Sequence, residues 1–82
     1  MSEEWIPLTG LGPGQVGVVR QLAGGRGFVA RLASLGFAPG VEVQMLQNFG
    51  HGPLIVLVRD TRVALGRGEA MKVLVEAMPH DQ

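Results

Sequence analysis

No cysteine occurs anywhere in the 82 residues. That excludes disulfide staples, thiolate metal sites and a cysteine nucleophile, and it fits a reducing compartment. Aromatic residues are nearly as scarce, at 5% of the chain, which is too few for a platform on which nucleic-acid bases stack. Charge is in excess of neither sign, with seven Lys and Arg against seven Asp and Glu. A chain without a positive field lacks the term that supplies most of the affinity for a phosphate backbone or an anionic membrane, so nucleic acid is not an expected partner. No apolar run is long enough to cross a bilayer, and the opening Met1-Ser2-Glu3-Glu4 has neither the basic segment nor the apolar stretch of an export signal. These absences point to a cytoplasmic protein with no direct membrane insertion.

Glycine and aliphatic residues are abundant. Thirteen glycines and five prolines cut the chain into apolar runs of roughly five to eight residues, the rhythm of short strands. A chain of this length holds one core, so a single domain is expected, with residues 1–6 and 78–82 as tails. One stretch, about Gly27 to Leu35, reads as helix, because Phe28, Leu32 and Leu35 recur at i, i+4 and i+7 and share one face. Gly36 then supplies the stop. Strands are expected over Gln15 to Leu22, Val41 to Gln47, Leu54 to Arg59, Arg62 to Leu65 and Lys72 to Glu76, with a helical hook over Gly66 to Met71.

The strands differ in pattern. Val41-Glu42-Val43-Gln44-Met45 alternates cleanly, so one face is buried and the other wet. Leu54-Ile55-Val56-Leu57-Val58 is apolar throughout and calls for cover on both faces or a partner. In the first strand Val18 and Val19 are adjacent and cannot both point inward without a bulge, which leaves its register open. Arg59-Asp60-Thr61-Arg62 has the character of a hairpin turn. Two Pro-Gly pairs, Pro13-Gly14 before the first strand and Pro39-Gly40 before the second, fit the central positions of type II turns. About five short strands in a meander curl into a small barrel, since a flat sheet would expose long edges. The expected class is mainly β, an SH3-like barrel with one inserted helix.

The segment Arg31-Leu32-Ala33-Ser34-Leu35-Gly36-Phe37-Ala38-Pro39-Gly40-Val41-Glu42-Val43 resembles the signature RLxxLGxxPGxxV of the FeoA family, small accessory proteins of bacterial ferrous iron transport. Leu8-Thr9-Gly10-Leu11-Gly12-Pro13-Gly14-Gln15 upstream is similar to the family's opening turn. Gly52-Pro53-Leu54-Ile55-Val56, Val63-Ala64-Leu65 and Val73-Leu74-Val75 downstream are similar to its later elements. The chain departs from the pattern at Asn48-Phe49-Gly50-His51-Gly52-Pro53 and at Gly66-Arg67-Gly68. The resemblance implies an SH3-like barrel and a partner, the cytoplasmic portion of a FeoB-type ferrous iron transporter with its GTP-binding domain. An alternative is a metal-responsive or peptide-binding module akin to the C-terminal domain of diphtheria-toxin-regulator-type repressors.

The residues suggest binding rather than catalysis, and no cofactor is expected. His51 and His80 lack second ligands at metal-binding spacing, so they are read as adventitious zinc ligands at most. Ser34 lies within the expected helix, without the strained elbow that would make it a nucleophile beside Asp60 and a histidine. Gly24-Gly25-Arg26-Gly27 lacks the Lys-Ser or Lys-Thr of a phosphate loop and is read as a strand-to-helix turn. Arg31 is placed to bond helix carbonyls or a carboxylate, or to meet a partner. Arg59, Arg62 and Arg67 could form a modest basic patch. The stretch Met45 to Phe49 breaks alternation, which places Met45 and Leu46 on opposite faces with Phe49 following in a turn and leaves at least one of these apolar side chains near the surface beside a strand edge. Met45, Leu46 and Phe49, with Arg31, Arg59 and Arg62, are therefore the candidate partner-binding residues. Weak self-association is also compatible with the pattern. Pro13, Gly14, Gly36, Pro39 and Gly40 are assigned to turns and Phe28, Leu32 and Leu35 to the core.

Overall fold

The computed structural model describes residues 4–79. Both Pro-Gly turns form as expected. The Gln15 N–H donates to the Gly12 carbonyl at 3.0 Å and the Val41 N–H to the Ala38 carbonyl at 3.0 Å, with φ of +87° at Gly14 and +96° at Gly40. Proline sets the first central position of each turn and glycine accepts the positive φ of the second. Each turn then grips the strand that follows the other. Gly14 donates to the Met45 carbonyl at 2.7 Å, and Gly40 donates to the Val19 carbonyl at 2.7 Å. Met45 donates to the Gln15 carbonyl and Val19 to the Val41 carbonyl, so the segment from Leu11 to Arg20 and the segment from Phe37 to Leu46 are bonded reciprocally about the Gly17–Val43 pair.

Six antiparallel strands make one sheet in the order β1-β6-β2-β3-β4-β5. They are β1 (Ile6–Pro7), β2 (Val16–Leu22), β3 (Glu42–Gln47), β4 (Leu54–Val58), β5 (Thr61–Leu65) and β6 (Val73–Ala77). A 3-10 turn (Leu8–Gly10) follows β1, α1 (Arg26–Ser34) joins β2 to β3, and the short α2 (Arg67–Ala70) joins β5 to β6. Arg59 and Asp60, at φ of 49° and 62°, form the two-residue turn of the β4–β5 hairpin, the mirror-type turn whose twist matches that of the strands. One side of the curled sheet carries the core. Val19, Val43, Met45, Leu54, Val56, Val58, Val73 and Val75 are buried together with Leu8, Leu11, Leu32, Phe37 and Ala70 from outside the strands.

Two bulges resolve the irregular patterns. In β2, Gly17 and Val19 face the core and Val18 faces out, opposite Glu76. The register against β6 then slips by one residue at Arg20, which brings Leu22 opposite the inward Val73 and against the core. In β3 the slip falls at Leu46, between the pairs Met45–Val56 and Gln47–Ile55. In β4, Leu54, Val56 and Val58 are buried, while Ile55 and Leu57 are half-covered on the outer face.

Three expectations are corrected. The strands number six rather than about five, because Ile6 and Pro7 pair with Val75 and Leu74. A two-residue strand has no alternation to read, which is why the expected tail takes in Ile6. Phe28 is half-buried against the core rather than within it, its ring beneath the Lys72 ammonium at 5.4 Å. Leu35 is 37% exposed although it shares the face of Leu32 in an ideal helix. The helix closes in a Schellman motif, with Gly36 (φ +106°) donating to the Ala33 carbonyl and Phe37 to the Leu32 carbonyl, each at 3.0 Å. This reversal folds Phe37 back over Leu32, so Phe37 fills the core position and Leu35 stays on the outer side.

Phe37→Ala is expected to cost about 3–5 kcal/mol of unfolding free energy, whereas Leu35→Ala costs less than about 1 kcal/mol. Urea denaturation of the two variants checks this, and equal losses would contradict the core assigned here.

Candidate functional site

The bulge at Leu46 determines what the end of β3 presents. It leaves Met45 fully buried and Leu46 36% exposed, and it turns Gln47 outward beside Ile55. Asn48 is thereby aimed back toward the 3-10 turn. Its amide nitrogen donates to the Thr9 carbonyl at 3.1 Å and to the Leu11 carbonyl at 2.8 Å. Its amide oxygen accepts from the Gly50 N–H at 3.0 Å and from Arg67 Nη2 at 2.8 Å. Arg67 Nη1 then reaches the Gly52 carbonyl at 3.0 Å. One amide and one guanidinium thus tie the start and end of the Asn48 to Gly52 loop to the 3-10 turn and to α2. Phe49, between these ties, is 70% exposed.

An aromatic ring on an anchored loop, with Leu46 at the strand end that leads into it, is an apolar protrusion that costs a partner little ordering entropy. Met45, expected to share this surface, does not belong to it: the inward phase of β3 up to the bulge places it opposite Val56 in the core.

The arginines divide into engaged and unpaired groups. Arg20, the bulge residue of β2, bonds Glu76 through Nε at 2.9 Å and Nη2 at 2.8 Å. Arg31 pairs with Glu69 across from α1 to α2, so its anticipated carboxylate is intramolecular. Arg67 belongs to the Asn48 latch rather than to a basic patch. Arg59 and Arg62 form no ion pair among the described residues. The stem of Arg59 lies against Gly36, where an added Cβ would meet its Cδ at 3.3 Å, and Arg62 is exposed on the outer face beside Leu57. An open groove of about 440 Å³ runs over the outer face of β2, β3 and β4 near the hairpin, lined by Val16, Gln44 and Leu57 with Glu42, Arg59 and Asp60 at its rim.

The Ser34 hydroxyl donates to the Arg31 carbonyl at 2.6 Å, a bond within its own helix. Gly25 is the N-cap of α1, and a methyl group at Gly24 would run into the Phe28 ring, so Gly24 serves close packing at the strand-to-helix turn. His51 is exposed in the anchored loop, and His80 lies outside the described residues. Among the described residues no three His, Cys, Asp or Glu side chains are grouped so as to hold a metal ion, and no helix is long and apolar enough to cross a membrane. The Asn48–Arg67 latch escapes sequence reasoning, because asparagine in a glycine-rich stretch signals only a turn. The coincidence of Asn48 and Arg67 in the two segments that depart from the FeoA pattern was the available clue.

The FeoA domain family matches residues 6–77. Fe(2+) transport protein A of Methanocaldococcus jannaschii is 34% identical over 70 residues, covering 85% of this chain and 84% of that protein. The crystal structure of an iron uptake regulatory protein (FeoA) superposes with a TM-score of 0.86 at 36% identity, over 92% of this chain and 100% of its own. Stenotrophomonas maltophilia FeoA, described as an SH3 domain protein and solved with zinc, superposes with a TM-score of 0.73 at 36% identity, over 87% of this chain and 89% of its own. The barrel is accordingly of the SH3-like class.

Asn48→Ala removes four hydrogen bonds and strands carbonyls of the 3-10 turn, so a loss of about 2 kcal/mol is expected. Phe49→Ser changes stability by no more than about 0.5 kcal/mol, as for an exposed side chain. Chemical denaturation measures both, and an unperturbed Asn48→Ala would show that the latch does not hold the loop.

Proposed function

The chain belongs to the FeoA family, and on that premise we propose that it is a non-enzymatic accessory protein of ferrous iron transport. It docks on the cytoplasmic portion of a FeoB-type membrane transporter and modulates that transporter's assembly or GTP-driven activity. The observation that carries this reading is the exposed pair Leu46 and Phe49, held out from the barrel by a bulge and an anchored loop. A free monomer gains nothing from holding an aromatic ring in water, since burying it is worth about 1.5–3 kcal/mol. A partner pocket that takes the ring recovers that free energy without first ordering the loop. Large exposed apolar side chains on rigid supports are the usual centres of protein interfaces. Arg59 and Arg62, beyond Leu57 on the same outer face, supply charge at the rim of such an interface, where it governs orientation more than affinity.

Nothing in this mechanism needs a reaction on the barrel itself. Docking that prefers one state of the GTP-binding domain shifts its equilibrium by the difference in affinity between the states. Whether the effect is activation or stabilisation of the assembled transporter depends on which state presents the matching pocket.

Phe49→Ser, at unchanged unfolding midpoint, and Leu46→Ser, with a modest loss of stability because only 36% of its surface is exposed, are each expected to weaken retention of the detergent-solubilised transporter by about tenfold or more. Pull-down from solubilised membranes, with ferrous iron uptake in cells lacking the protein as the functional readout, tests this. Retention and uptake that ignore both substitutions would refute the docking surface.

A further inference from the structure

The sheet has two edges, and they differ. The β1 edge is two residues long and one of them, Pro7, has no N–H to offer. The β5 edge runs from Thr61 to Leu65 and pairs only with β4. Val58 and Thr61 flank a two-residue turn, so in an antiparallel ladder they exchange the first pair of bonds, and Val63 and Leu65 follow at every second position. The N–H and C=O of Arg62 and Ala64 therefore point away from β4. Among the described residues no other backbone bond engages them. The side chains of Arg62 and Ala64 are exposed on the outer face, and that of Val63 faces the core.

We propose that this edge receives an extended, acidic peptide segment as an added antiparallel strand. Backbone bonds to Arg62 and Ala64 supply the register. The residue of the incoming strand that faces Val63 turns toward the barrel interior and is apolar. Its neighbours on either side lie on the outer face, where a carboxylate meets the Arg62 guanidinium and the small Ala64 leaves room for the second. Charge selects this occupant. Arg62 is the one charged residue of β5, Arg59 lies with Asp60 in the hairpin turn that precedes it, and neither arginine has an ion pair among the described residues. A second copy of this chain is a poor fit for the same reason: two-fold pairing of β5 with itself through Val63 sets the two Arg62 side chains on neighbouring diagonals, where like charges repel. Leu46 and Phe49 lie outside this edge, which shares only Arg59 and Arg62 with the rim of the docking surface proposed above, and the inference does not depend on the transporter being the partner.

The test uses the full chain with two synthetic peptides, one alternating glutamate with valine and one alternating lysine with valine. Binding of the glutamate peptide is expected, with protection of the Arg62 and Ala64 amides from hydrogen exchange and weakening as salt is raised. Ala64→Pro removes one outward N–H and no ladder bond to β4, and is expected to weaken the glutamate peptide about tenfold. Arg62→Glu is expected to reverse the preference toward the lysine peptide, which a merely structural role for Arg62 would not do. The proposal is overturned if neither peptide binds, if both bind alike, or if binding leaves the Arg62 and Ala64 amides unprotected. Protection of these amides that rises with protein concentration alone would assign the edge to a second copy and overturn it equally.

Discussion

The arrangement depends on two reciprocal backbone bonds, Gly14 to the Met45 carbonyl and Gly40 to the Val19 carbonyl. Each Pro-Gly turn ends one connection and, in the same few atoms, caps the opposite end of the β2–β3 ladder. The pairing of Gly17 with Val43 is thereby pinned from both ends, and in a half-buried sheet register decides which side chains are core. Leu11 and Phe37 enter the core just before the two turns, Val19 and Met45 enter it just after, and the bulge residues Arg20 and Leu46 follow at matching positions. The pseudo-symmetry is one of backbone geometry more than of composition. What stands on it is asymmetric: at one bulge an arginine closes onto Glu76, and at the other a leucine faces water.

That asymmetry turns a structural device into a candidate interface. A bulge adds a residue that the ladder does not use, so its side chain is available for another task. At Arg20 the task is a partly exposed ion pair, worth little to stability. At Leu46 the side chain is left 36% exposed, and the next residues leave the sheet as the loop that carries Phe49. Loops without a core of their own are usually the softest part of a small domain. Here Asn48 spends both amide donors and its oxygen on the 3-10 turn, Gly50 and Arg67, so the loop draws its order from polar bonds and keeps its apolar ring for the outside.

Signals that rest on local stereochemistry were legible in the sequence. Pro-Gly before a strand, glycine after a helical stripe and an aspartate between two apolar runs each impose a φ value that few other residues accept, and all three features stand where they were expected. Features that rest on long-range competition were not legible. Leu35 and Phe37 compete for one place over Leu32, and the Schellman reversal, not helical periodicity, awards it to Phe37. Met45 and Leu46 fall on opposite faces and both stand as candidate contacts, because which of them turns inward depends on where the register slips against β4. Ile6 pairs with Val75, a partner near the far end of the chain, and a two-residue strand carries no pattern to announce it. The exposed ring at Phe49 was legible as a departure from alternation, but its anchoring was not, since it needs Arg67 from α2.

Neutrality, which argues against nucleic acid, also shapes how this barrel can recognise a protein. With acidic and basic side chains in equal number, and Arg20, Arg31 and Arg67 already engaged, no broad field reaches beyond the roughly 8 Å screening length of physiological salt. Association is then not steered from a distance, and its rate stays near that of an uncharged encounter. On the proposed readings selectivity comes from contact: a ring that takes a pocket, an edge that takes an extended backbone, and the guanidinium groups of Arg59 and Arg62, which have no ion pair among the described residues and discriminate only after close approach. Differences in affinity among partners of such a module lie in the lifetime of the complex rather than in the rate of its formation. A partner docked in the proposed way would be retained only in the conformation that presents matching contacts, so that docking would favour that conformation.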